Sequence, residues 1–124
     1  MNSLARAFTG GAAHAASRHW CAQRVTAIAL VPLTIWFLVS LLRLPDLAHA
    51  SVHAWVARPL TATLLCLLVV ALFWHSRLGV HEVIEDYVRP PRLHGAARFF
   101  STLLHLLAGL AALLAVLRIA LGNA

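Results

Sequence analysis

The chain contains no lysine, only four acidic residues and only two cysteines in 124 residues. Each scarcity excludes something. Cys21 and Cys66 imply no disulfide framework, and Cys66 sits inside an apolar run, so both read as small apolar side chains. The four acids, Asp46, Glu82, Glu85 and Asp86, all lie outside the three longest apolar runs. Those runs therefore lack the carboxylates that a pore or ion-coupled pathway needs. Ten arginines carry all the fixed positive charge. They are dispersed, and no soluble domain presents them, which argues against nucleic-acid binding. No long linker, low-complexity tract or internal repeat divides residues 1–124, so one domain is expected.

What the chain has in excess is hydrocarbon. At 61% hydrophobic and 11% charged, it is too apolar for a small soluble domain. Three uncharged stretches stand out, at residues 25–42, 60–76 and 99–117. Each approaches the roughly 20 residues needed to cross about 30 Å of hydrocarbon. Helices of a water-soluble bundle would need polar faces, and these stretches have almost none. The composition predicts an all-α membrane protein with three transmembrane helices.

Arginine placement orients the spans. Arg6, Arg18 and Arg24 precede the first, and Arg89, Arg92 and Arg98 separate the second from the third. The opposite side holds Arg43, Arg58 and Arg118. The positive-inside rule puts the N-terminus and the second loop in the cytoplasm, or in an organelle matrix. The first 24 residues contain no acid and no apolar core of the secretory type. A tail lying at the headgroups is expected there, with a transit peptide the compositional alternative.

Punctuation agrees with these spans. Pro32 stands inside the first span as a kink site, and Leu44, Pro45 and Asp46 turn the chain. Arg58 and Pro59 open the second helix, and Pro90 and Pro91 stop its extension. Trp20 and Trp74 mark one water boundary and Trp55 the other. Ala108, Gly109, Ala111, Ala112 and Ala115 give the third span small-residue spacings that admit close helix contact. Three helices so poor in polar groups form a thin bundle, and partner helices are expected.

Eight histidines invite a search for chemistry. His14, His19, His81 and His94 fall in or near arginine-rich segments, where they are expected to be solvated or at the headgroups. His49 and His53 form an HxxxH pair without a third ligand of suitable spacing. His105 lies within the third span and predicts a helix-to-helix hydrogen bond. His75 is different, because it stands at the membrane end of an apolar run, eleven residues before Asp86. Eleven steps of about 100° make three turns plus about 20°, so His75 and Asp86 share a helix face, with Gly79 and Glu82 near the same line. An intramembrane histidine is costly and points to function. Two roles are open: a haem iron ligand, with Gly79 leaving room for a flat macrocycle, or an interhelical hydrogen bond.

Asp86 and Tyr87 stand where the second helix leaves the membrane. Tyr87 serves there as an interfacial anchor or as a hydrogen-bond donor to a quinone carbonyl, since a phenol with pKa near 10 stays protonated. Asp86 would orient that phenol or relay protons. Arg24 is either a snorkelling topology signal or a partner for an anionic group such as a haem propionate.

Two segments carry a family resemblance. Residues 19–36, from His19 and Trp20 through Arg24, Thr26 and Pro32 to Trp36, are similar to the start of helix one in the hydrophobic membrane anchors of succinate dehydrogenase (respiratory complex II). His75, Gly79, Asp86, Tyr87 and Val88 resemble that family's pattern at the end of helix two. The resemblance covers nearly the whole chain. It implies that His75 is an axial ligand of haem b, that Tyr87 hydrogen-bonds ubiquinone with Asp86 beside it, and that Arg24 lies near the haem propionates. It implies partners as well: a second membrane anchor subunit carrying the other haem histidine, an iron–sulfur subunit and a flavoprotein subunit. The chain itself has no flavin motif or cysteine cluster, so succinate oxidation would belong to those partners. The implied location is a bacterial inner membrane, or a mitochondrial one in a eukaryote. His81 departs from the family pattern in a variable stretch and receives no role. A quinol:fumarate reductase anchor and a small histidine-rich transporter are the alternatives.

Overall fold

In a computed structural model the backbone is described for residues 3–122, and side chains for residues 13–122. Arg6 and its contribution to topology lie outside the described side chains. Four helices follow one another: α1 Ser3–Leu42, α2 His49–Val56, α3 Pro59–Tyr87 and α4 Pro91–Ala120. Three contain segments long and apolar enough to cross a membrane, Ala13–Leu42, Pro59–Tyr87 and Pro91–Ala120. Each expected span is thus part of a longer helix. α1 runs unbroken through Pro32.

Local chemistry sets the ends. α1 closes with the N–H of Arg43 and of Leu44 donating to the carbonyls of Val39 and Leu41, each at 3.2 Å. Asp46 Oδ1 then accepts from the Ala48 N–H at 3.1 Å, an Asx turn that redirects the chain into α2. Hydrogen bonds from the Ser51 hydroxyl and the Ala48 N–H hold the Asp46 carboxyl below its ordinary pKa. α3 and α4 both begin at proline, Pro59 and Pro91, where the missing N–H leaves no intrahelical bond unmade. The Arg58–Pro59 and Pro90–Pro91 boundaries therefore fall where expected.

α3 is the central helix. It packs against α1 on one flank and α4 on the other, while α1 and α4 make no direct backbone approach among the described residues. The short α2 was not foreseen. It folds back against α3 and α4 and buries Trp55 and Val56. Trp55 stacks on Trp36 with centroids 6.1 Å apart and lies 6.0 Å from Phe37. It is 6% exposed, so the expectation of a lipid-interface tryptophan is corrected: α2 turns Trp55 inward as the plug of the main apolar cluster, with Val56, Leu65 and Leu68 around it.

Gly109 brings α4 close to α3. A Cβ placed there would lie 3.3 Å from Phe73 Cγ, so the ring occupies the space a side chain would need. The small residues divide between two faces. Gly109 is buried and Ala112 half-buried, whereas Ala111 and Ala115 are exposed. Elsewhere the bundle is thin: no described side chain is fully buried, and Val25, Ile28, Val31 and Ile35 form an exposed stripe along α1. Such a surface is satisfied by lipid or by other helices.

Candidate functional site

The polar residues of α3 sort onto its two flanks. Toward α1, His75 and Glu82 line one cleft of about 490 Å³ with His19, Trp20, Gln23 and Arg24. The periodicity of α3 places His75, Gly79 and Glu82 along one face. A Cβ on Gly79 would meet nothing within 4 Å, so the backbone there is open to a flat occupant. The α1 side is built by the spacing of His19, Gln23 and Thr26, four and three residues apart and therefore on one face.

Contacts join the two walls. His75 Nδ1 lies 3.0 Å from Thr26 Oγ1. Thr26 Oγ1 in turn donates to the carbonyl of Ala22 at 2.8 Å and approaches that of Gln23 at 3.1 Å. Nearer the helix end, the His19 Nε2–H donates to Glu82 Oε1 at 3.2 Å. The Arg24 guanidinium lies over the Trp20 ring, 5.4 Å from its centroid, which keeps a cation at the cleft without a carboxylate. Gln23 Oε1 is buried with no hydrogen-bond partner among the described residues. A buried polar atom left so costs free energy unless a ligand satisfies it. The cleft thus holds an unpaired cation at Arg24, the His75 imidazole, an orphaned amide at Gln23 and, nearer the helix end, the His19–Glu82 pair.

Asp86 and Tyr87 stand apart from this cleft. They end α3, and both are exposed, Tyr87 at 81%. Both follow Glu82 in the last turn, where α3 gives way to Val88 and the proline pair. His75, Arg24 and Glu82 come together, and Asp86 and Tyr87 form a separate exposed pair one turn further on.

The flank toward α4 carries its own polar contacts. His81 is buried, at 8% exposure, and hydrogen-bonds Thr102 at 3.2 Å. The expectation of a His81 in solvent or at the headgroups is therefore corrected. α3 and α4 continue as a paired hairpin beyond the apolar runs, and the half-exposed Arg98–Glu85 ion pair at 3.0 Å joins the same two helices. His105 behaves as expected: its Nδ1–H donates to the Ser101 carbonyl at 2.7 Å, and its Nε2 accepts from the Ser76 hydroxyl of α3 at 3.1 Å. The His49 and His53 rings lie with centroids 5.8 Å apart on α2, tilted by 35°.

The chain is similar in sequence to known proteins. A model of the succinate dehydrogenase/fumarate reductase transmembrane subunit family matches residues 2–116. The chain is 32% identical over 105 residues to the succinate dehydrogenase hydrophobic membrane anchor subunit of Rickettsia bellii (strain RML369-C), covering 81% of this chain and 83% of that one. It is 31% identical over 112 residues to the subunit of the same name from Paracoccus denitrificans, covering 90% and 86%. The Rickettsia conorii subunit is 31% identical over 86 residues, 68% of each chain.

Proposed function

The chain belongs to the succinate dehydrogenase/fumarate reductase transmembrane subunit family, and from that premise we propose that it is the membrane anchor through which a succinate:ubiquinone oxidoreductase delivers electrons to quinone. As an all-α protein with three membrane-crossing helices and bacterial relatives, it resides in an inner membrane. One membrane-anchor domain over residues 1–124 pairs with a second anchor subunit, and the flavoprotein and iron–sulfur subunits dock on the cytoplasmic side. Arginine asymmetry supports that orientation. The chain catalyses nothing alone. The relatives' shared name favours the succinate-oxidising direction over a fumarate reductase anchor, and family membership sets the transporter alternative aside.

One observation carries the cofactor reading: an imidazole, a carboxylate-free cation and an orphaned amide meet in one open slot at His75, Arg24 and Gln23. These groups fit haem b. His75 would hold the iron, Arg24 a propionate, and open Gly79 would accept the macrocycle edge. Haem b supplies a one-electron carrier there. Of the two histidines lining the slot, His19 is paired with Glu82, which leaves His75; a second iron ligand would come from the partner anchor.

The quinone reading rests on Tyr87, the chain's only tyrosine. Its exposed phenol at the helix exit can donate to a quinone carbonyl at the apolar–polar boundary, completed by neighbouring subunits. Asp86 beside it orients the phenol and passes protons from water, and ubiquinone leaves as ubiquinol after taking two electrons and two protons.

The test is His75→Ala in the assembled complex. Loss or alteration of the b-type optical spectrum, with succinate oxidation by a soluble acceptor retained, supports the assignment. An unchanged spectrum and reduction potential would overturn it.

A further inference from the structure

Thr26 sits in the membrane half of α1, and a threonine there ordinarily satisfies its hydroxyl on its own helix. Its Oγ1 lies 2.8 Å from the Ala22 carbonyl and 3.1 Å from the Gln23 carbonyl. Carbonyl oxygens only accept, so the one hydroxyl proton is directed at this pair. The lone pairs of Oγ1 then face His75 Nδ1, 3.0 Å away on α3. A hydrogen bond there requires the proton to be on Nδ1. A neutral imidazole has a single N–H, so Nε2 keeps its lone pair. The opposite arrangement, with Thr26 donating to Nδ1, would set an oxygen lone pair against two carbonyl oxygens within 3.1 Å. It would also place a proton on the nitrogen left to bind metal.

We infer that Thr26 is the positioning residue for His75: it fixes the Nδ1–H tautomer, turns Nε2 into the cleft as the iron-binding atom, and strengthens that ligand by accepting the Nδ1 proton in a hydrogen bond. This rests on the haem reading of His75 and deepens it. An outer partner of this kind orients the ring and raises ligand basicity, and its loss typically costs 10–100-fold in metal affinity. Here the partner is a hydroxyl anchored to the backbone of a neighbouring helix. The tautomer therefore depends on the packing of α1 against α3, and helix contact and ligand strength become one property.

The experiment uses the complete complex in membranes, comparing wild type, Thr26→Val, Thr26→Ser and His75→Ala. Valine keeps the branched shape and removes the acceptor. It should release haem at least tenfold more readily, raise the haem reduction potential because a weaker donor favours ferrous iron, and shift the low-spin ferric resonance. Serine keeps the hydroxyl and should restore all three. If Thr26→Val retains the wild-type potential and resonance while His75→Ala loses the haem, the inference is overturned and the haem reading stands. If His75→Ala keeps the wild-type spectrum, the haem reading fails instead. Should valine prevent assembly, Thr26→Ala against Thr26→Ser carries the same comparison. A serine variant that assembles but behaves like alanine, or that fails to assemble, shows a packing role and overturns the inference.

Discussion

Gly109 of α4 lies directly against the Phe73 ring of α3, and a Cβ on the glycine would stand 3.3 Å from Cγ of that ring. The contact lies close to the two polar stations of α3, Ser76 with His105 on one flank and His75 with Thr26 on the other. Pushing the helices apart there disturbs both. Gly109→Ala should be close to neutral, since about 1 kcal/mol of helix preference offsets a shift of Phe73 by a few tenths of an ångström. Gly109→Leu overfills the contact and should cost about 1–3 kcal/mol. Thermal dissociation of the complex measures this, and adding Phe73→Ala should recover part of the loss. Unchanged stability of Gly109→Leu would show that this is not the close approach of the two helices.

The spans were legible because lipid imposes a length and a polarity that few other environments demand. Both proline-led helix starts were legible for a local reason, a missing N–H at a position that needs none. α2 was not. Its eight residues carry no capping side chain and no acid in the first turn, and only the fold reveals that Trp55 and Val56 turn inward. His81 was misread because flanking arginines suggest water, yet α4 starts early enough to bring Thr102 against it. At the site, the alignment of His75, Gly79 and Glu82 followed from helical periodicity alone. Thr26 and Gln23 did not, because their role depends on which face of α1 meets α3. The signal was present in the polar residues 19, 23 and 26 recurring at helical spacing where the first apolar run begins.

Arg24 supplies the next test. Its guanidinium rests over Trp20 at the cleft and is free of a carboxylate partner among the described residues. A hydrogen bond to a charged group is worth about 1.5–3 kcal/mol. Arg24→Gln should therefore loosen haem by about 10–100-fold, with His75 still ligating and the b-type spectrum preserved. The rate of haem transfer to an apoprotein acceptor reports it. Wild-type retention would reduce Arg24 to a topology signal.

Isolation of the chain tests its dependence on partners. No residue of the most apolar α1 window is buried, and no described side chain of the bundle is fully buried. Expressed without the second anchor, the chain should neither retain haem nor recruit the soluble subunits. A monodisperse, haem-loaded single chain in detergent would contradict the shared-haem reading.

Tyr87→Phe isolates the proposed quinone bond. The ring and its place at the membrane boundary remain, and only the hydroxyl is lost. A hydrogen bond removed from an apolar site costs about 0.5–1.5 kcal/mol net, and more where the acceptor gains charge. At about 1.4 kcal/mol per decade, ubiquinone reduction should fall by severalfold to beyond tenfold. Haem content should stay near wild type, because Tyr87 lies outside the cleft lined by His75 and Arg24. Succinate oxidation by a soluble acceptor should also persist, since it bypasses the membrane site. Asp86→Asn should be milder, as it perturbs the phenol's surroundings and leaves the donor in place. Steady-state assays with ubiquinone and with the soluble acceptor, run on the same membranes, separate these effects. Wild-type quinone kinetics in Tyr87→Phe would leave Tyr87 as an interfacial anchor and move the quinone-binding donor to a neighbouring subunit.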